Sequence, residues 1–126
     1  MPHFHIEYSA NLETVVDMSA FCEAIRTTAA SIETFPMPGI RVRAVRVDHV
    51  AMADGNAKHG FIDLIIRLRE GRSDAVKQDA LSLIFETMKQ FLDAAMQTNS
   101  VALSAEIVDI SDGFSAKTGT VRNHLE

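Results

Sequence analysis

Residues 61–110 read FIDLIIRLREGRSDAVKQDALSLIFETMKQFLDAAMQTNSVALSAEIVDI, and this stretch decides the fold. Phe61 to Arg69 is apolar at nearly every position, which predicts a strand buried on both faces. A turn at Gly71 follows, with Ser73 as the expected N-cap and Asp74 in the first helical turn. Val76, Ala80, Leu83, Ile84, Met88, Phe91, Leu92 and Ala95 then recur at helical spacing, and Asn99 is the expected stop. Val101 to Ile110 returns as a strand. The long helical crossover allows the two strands to lie parallel in a right-handed β-α-β unit.

The same order stands upstream. In HFHIEY (residues 3–8), His3, His5 and Glu7 alternate with Phe4, Ile6 and Tyr8, the period of a strand with one apolar face. Ser19 to Glu33 predicts a helix with Ser19 as N-cap and Phe21, Cys22, Ile25, Ala29 and Ile32 on its inner face. FPMPG (35–39) is a turn. RVRAVRVDHVAM (41–52) alternates as a second strand and runs into the turn ADGNAKHG (53–60). Two β-α-β units in succession predict an α+β, two-layer fold: a four-stranded mixed sheet with two helices on one face. The other face needs a cover, and oligomerisation supplies one.

At 126 residues the chain is expected to form a single domain, residues 1–126, with its core at about 2–110 and a polar tail, 111–126, at a subunit interface. No apolar run approaches the roughly 18 residues of a membrane span, and the start lacks a signal-peptide pattern, so a cytoplasmic location is expected. The lone Cys22 reads as a small apolar residue of a helix. A net charge of −5 argues against nucleic acid as a partner. The arginines are nevertheless concentrated: Arg41, Arg43, Arg46, Arg67, Arg69 and Arg72 fall within residues 41–72, which points to a small anionic ligand. Arg41 and Arg43 share one face of their strand and Arg46 takes the other. Arg72 precedes a helix start, where backbone N–H groups also favour anions. His3 and His5 share a strand face, but nothing completes a metal site, so none is expected.

Pro2 follows the initiator methionine directly. Methionine aminopeptidases remove Met1 ahead of small residues, proline included, which would leave Pro2 a free secondary amine that can act as a base. With that proline, the segments PHFHIEYSANL (2–12), GIRVRAVRVDHVAMADG (39–55) and GRS (71–73) resemble the 5-carboxymethyl-2-hydroxymuconate isomerases of the tautomerase superfamily, over Pro2 to about Ile110.

The resemblance implies a homotrimer of β-α-β-β-α-β subunits, with Pro2 in a pocket near a subunit boundary. It implies isomerisation of a tricarboxylate dienol to its ketone in homoprotocatechuate breakdown, with no metal or organic cofactor. Pro2 would be the catalytic base and acid, its pKa lowered by burial and nearby arginines. Arg41 and Arg72, then Arg43, would bind the carboxylates of a dicarboxylate or tricarboxylate substrate, with His3 lining the pocket; Arg46, Arg67 and Arg69 read as structural or interfacial. Two alternatives keep the scaffold: an enzyme acting on another unsaturated keto acid, and a non-catalytic trimeric anion-binding protein, which would require a blocked or protonated Pro2.

Overall fold

A computed structural model describes residues 1–126. Its strands are β1 (His3–Ser9), β2 (Arg41–Val47), β3 (His59–Arg69) and β4 (Ser100–Ile110), and its helices are α1 (Met18–Ala30) and α2 (Asp74–Thr98). The sheet order is β2-β1-β3-β4. Within each half the strands are parallel, and β1 meets β3 antiparallel, so the two β-α-β units join back to back. Thr28 of α1 and Thr87 of α2, 59 residues apart, share a hydrogen bond of 2.8 Å where the helices pack. These positions correspond in the two halves, because the same offset maps the β1–β3 pairing onto itself.

Both helices cover one face of the sheet. Phe21, Ile25 and Ala29 of α1, and Ala80, Ile84, Met88 and Leu92 of α2, close over Phe4, Ile6, Ile62, Leu64, Ile66 and Leu68 in one apolar core. Alternation in the strands and the helical spacing of these residues produce the core directly. α2 begins and ends as its sequence predicts, with Ser73 Oγ accepting from the Val76 N–H at 3.2 Å and Asn99 at its end.

Several element bounds differ from the sequence expectation, among them the end of α1 at Ala30, short of Glu33, and the start of β3 at His59, ahead of Phe61. α1 starts at Met18, because the Asp17 carboxylate, not Ser19, accepts from the Ala20 N–H at 3.0 Å. β2 stops at Val47, short of Met52. Beyond it the chain needs left-handed backbone at Ala53 (φ 52°) and Gly55 (φ 87°) to reverse, and the His59 ring clamps the turn by bonding Asp54 at 2.8 Å and Ser100 at 2.7 Å. β3 is fully buried on its helix side only; Phe61, Asp63 and Ile65 on the other side are half-buried and Arg67 is exposed, since no element of this chain lies over that face.

The topology has one consequence for function. β1 and β2 begin at the edge of the sheet where β3 and β4 end, so the chain start, Arg41, Arg67, Arg69 and Ile110 all meet there.

Leu64 is wholly buried in the core. Leu64→Ala should lower unfolding free energy by about 2–5 kcal/mol, whereas Ser82→Ala on the exposed face of α2 should change it by less than about 0.5 kcal/mol. Urea unfolding at one protein concentration checks both.

Candidate active site

The register sets His3 between Arg41 on β2 and Arg67 on β3, a row of three across the open face of the sheet. Pro2 lies just before this row and is buried; its carbonyl accepts from the Arg41 N–H at 3.3 Å, tying the starts of β1 and β2 together. Met1 sits in front of Pro2, against buried Gly39, where an added Cβ would lie 3.2 Å from the Met1 side chain. The FPMPG turn therefore ends on a residue small enough to admit the chain start. Met1 stands in the wall between two cavities, of about 590 and 510 Å³, that share Arg41, Arg69, Lys117 and Thr118.

Arg67 also lines the first cavity, and Arg72 and Arg122 line the second. In a chain of net charge −5, these two spaces are walled by six cations and a single carboxylate, Asp112. Asp112 is already engaged, accepting from Arg69 Nε at 2.8 Å. No carboxylate lies within 4.0 Å of Arg41, Arg67, Arg72, Lys117 or Arg122. A concave surface with unspent positive charge attracts anions and concentrates them.

Among the residues singled out from sequence, His3, Arg41 and Arg72 are brought to these cavities, with Pro2 directly behind Met1. Arg72 is held in place: it donates to the carbonyls of Arg69 (3.0 Å) and Thr34 (2.9 Å), and its guanidinium lies over the Phe35 ring. Arg43 stands one row further along the sheet, donates to His5 Nδ1 at 3.2 Å, and lines neither cavity. Arg67 and Arg69, read from sequence as structural or interfacial, face the first cavity. The pairing of Arg67 with His3, and the two-residue spacing to Arg69, put both on the side that His3 occupies.

Residues 111–126 contribute most that sequence reasoning missed. The Asp112 N–H donates to the Glu70 carboxylate at 2.8 Å and its side chain holds Arg69, so the tail is fastened beside the end of β3 and turns back across the cavities. Ser115, Lys117 and Thr118 thereby line the first cavity together with the residues of the sheet.

The electrostatic consequences fall on two groups. The α-amine at the chain start has its pKa lowered, first by burial and then by Lys117, Arg72, Arg69 and Arg41. His3 is pushed down from 6.5 to about 4, again first by burial and then by Arg41, Arg67 and Arg43. Its imidazole is therefore neutral at pH 7 and can donate one hydrogen bond and accept another. This corner of the molecule holds permanent guanidinium charge, and burial beside it shifts both weaker bases toward their neutral forms.

The model of the 5-carboxymethyl-2-hydroxymuconate isomerase family matches residues 2–125. A 5-carboxymethyl-2-hydroxymuconate Delta-isomerase of Escherichia coli is 32% identical over 121 residues, 96% of each chain. A crystal structure of a 5-carboxymethyl-2-hydroxymuconate delta-isomerase superposes with TM-score 0.92 at 30% identity, covering 98% of this chain and 92% of that one. A 5-carboxymethyl-2-hydroxymuconate isomerase from Deinococcus radiodurans R1 gives TM-score 0.89 at 27% identity over the same shares.

His3 is expected to titrate near pH 4 by NMR of its ring resonances. Between pH 6.5 and 4 the unfolded chain binds a proton at His3 that the folded chain refuses. The His3 contribution is therefore fully present above pH 6.5 and lost as pH falls through this window. His3→Gln should flatten that part of the stability profile, read by urea unfolding at several pH values.

Proposed function

The chain belongs to the 5-carboxymethyl-2-hydroxymuconate isomerase family and is an isomerase; on that premise we propose that it converts the tricarboxylate dienol 5-carboxymethyl-2-hydroxymuconate to its unsaturated ketone, with Pro2 as the proton carrier. Removal of Met1 frees the Pro2 nitrogen and joins the two cavities that Met1 divides. The neutral amine takes the proton from the 2-hydroxyl. Electron density moves through the conjugated system as the oxygen becomes a carbonyl and the double bonds shift by one place. The resulting ammonium returns a proton to carbon five, and no oxidant, reductant or cofactor enters the balance.

The observation that carries this reading is the meeting of a chain-start amine, its pKa depressed by burial and by cations, with a wall of guanidinium groups that lack carboxylate partners. A base for this step works best with a pKa near ambient pH, and the same burial and the same cations would act on Pro2 once it is the terminus. Arg41 and Arg67, flanking His3, are assigned to carboxylate binding and to stabilising the enolate oxygen as charge develops. Arg72 binds from the second cavity, its fixed guanidinium retaining N–H groups beyond the two given to backbone carbonyls. Arg43 supports His5 and is not assigned to the substrate.

We place the reaction in homoprotocatechuate catabolism in the cytoplasm, within one domain that assembles as a homotrimer. The uncovered sheet face, which exposes Val45 and Val108 and leaves Phe61 and Ile65 half-buried, is the surface assigned to assembly, with the tail near the boundary. No helix of the chain is long and apolar enough to cross a membrane.

Loss of the dienol's ultraviolet absorbance tests the assignment. A chain that retains Met1, verified by mass spectrometry, should lose about 10²–10⁴-fold in kcat, the usual contribution of a positioned acid–base group. Pro2→Ala, which leaves a primary amine, should fall less, and Arg41→Ala should both raise KM and lower kcat, since it removes carboxylate binding and enolate stabilisation together. Turnover of the dienol by the Met1-retaining chain at the wild-type rate would exclude Pro2 as the base.

A further inference from the structure

We infer that Lys117, on the C-terminal tail, is the residue that recognises the third carboxylate and so selects tricarboxylate over dicarboxylate substrates. The inference rests on the proposed reaction and goes beyond it, since neither Lys117 nor its segment was assigned any part there.

The cations of the sheet edge are not all free to bind. Arg69 is neutralised by Asp112, and Arg72 spends two N–H groups on backbone carbonyls. That leaves Arg41 and Arg67 wholly available and Arg72 in part, with Arg41 lining both cavities, Arg67 the first and Arg72 the second. A muconate backbone has a carboxylate at each end, which these arginines can engage. The carboxymethyl arm carries the third carboxylate on a rotatable bond, away from the line of the diene, and its partner must come from elsewhere.

Lys117 is placed for it. It lines both cavities from the tail rather than from the sheet, has no carboxylate within 4.0 Å, and is the strongest of the cations acting on the amine at the chain start. The selection of charge in the tail points the same way. Residues 111–126 contain two permanent cations, Lys117 and Arg122, and both face the cavities. Of the tail's two carboxylates, Asp112 is consumed in fastening the tail and Glu126 lines neither space. A flexible ammonium of three donors suits an arm that rotates, whereas the planar forks of the arginines suit the rigid ends of the diene.

Steady-state kinetics of the mature protein on the tricarboxylate dienol and on 2-hydroxymuconate, its counterpart without the carboxymethyl arm, test the inference. Lys117→Ala should raise KM for the tricarboxylate about tenfold, the loss of one charge-assisted hydrogen bond, and raise it far less for the dicarboxylate, with kcat little changed. Lys117→Arg should recover most of the loss. An equal rise for both substrates, no rise for either, or a loss confined to kcat would overturn the inference. Should the wild-type protein turn over neither dienol, the proposed reaction fails on its own, and the assignment of Lys117 is decided by calorimetry with propane-1,2,3-tricarboxylate and glutarate. Lys117→Ala must then reduce the ratio of the two affinities; an unchanged ratio refutes it.

Discussion

Six cations, two of them on the C-terminal tail, gather around one end of a four-stranded sheet and repel one another, and the arrangement of this molecule follows from how that repulsion is managed. Arg69 is neutralised by Asp112, Arg72 is pinned to two carbonyls and a phenylalanine face, and His3, set between Arg41 and Arg67, gives up its proton. The amine at the chain start is depressed by the same field. Neighbouring positive charge favours neutral bases and bound anions together, which is the combination an enzyme needs to move a proton on an anionic dienol. The fold supplies the edge because its duplicated halves meet antiparallel: two strands start where the other two stop.

Much of this was legible in the chain. The apolar stripe from Val76 to Ala95, with Ser73 ahead of it and Asn99 behind, defines α2, because capping and periodicity act within a few residues. The alternation of HFHIEY sets which side chains enter the core. At the site, the adjacency of Arg41 and His3 follows from parallel pairing of β1 and β2, and both were named from sequence. The start of α1 was misread by two residues because Asp17 and Ser19 are both good caps, and only geometry shows which one meets the Ala20 N–H.

What was not legible depends on distance along the chain. Arg67 was passed over because its strand looked buried on both sides, whereas the face it shares with His3 is left open by this chain. The tail was passed over because its polar, glycine-containing sequence has no periodicity. Its placement depends on Asp112, which pairs with Arg69 and donates its N–H to Glu70, 43 and 42 residues away in sequence. Side chains that act from a segment without regular structure are found only once its anchor is known.

The central claim is that burial and cations lower the pKa of the Pro2 amine once Met1 is removed. A nitrogen-15 NMR titration of Pro2, labelled and freed of Met1, measures it directly. The account predicts a midpoint below 8.0, the ordinary value for an α-amino group, rising when Arg41 and Lys117 are both replaced by alanine. A midpoint above 8.0 in the unmodified protein, unmoved by those replacements, would contradict it.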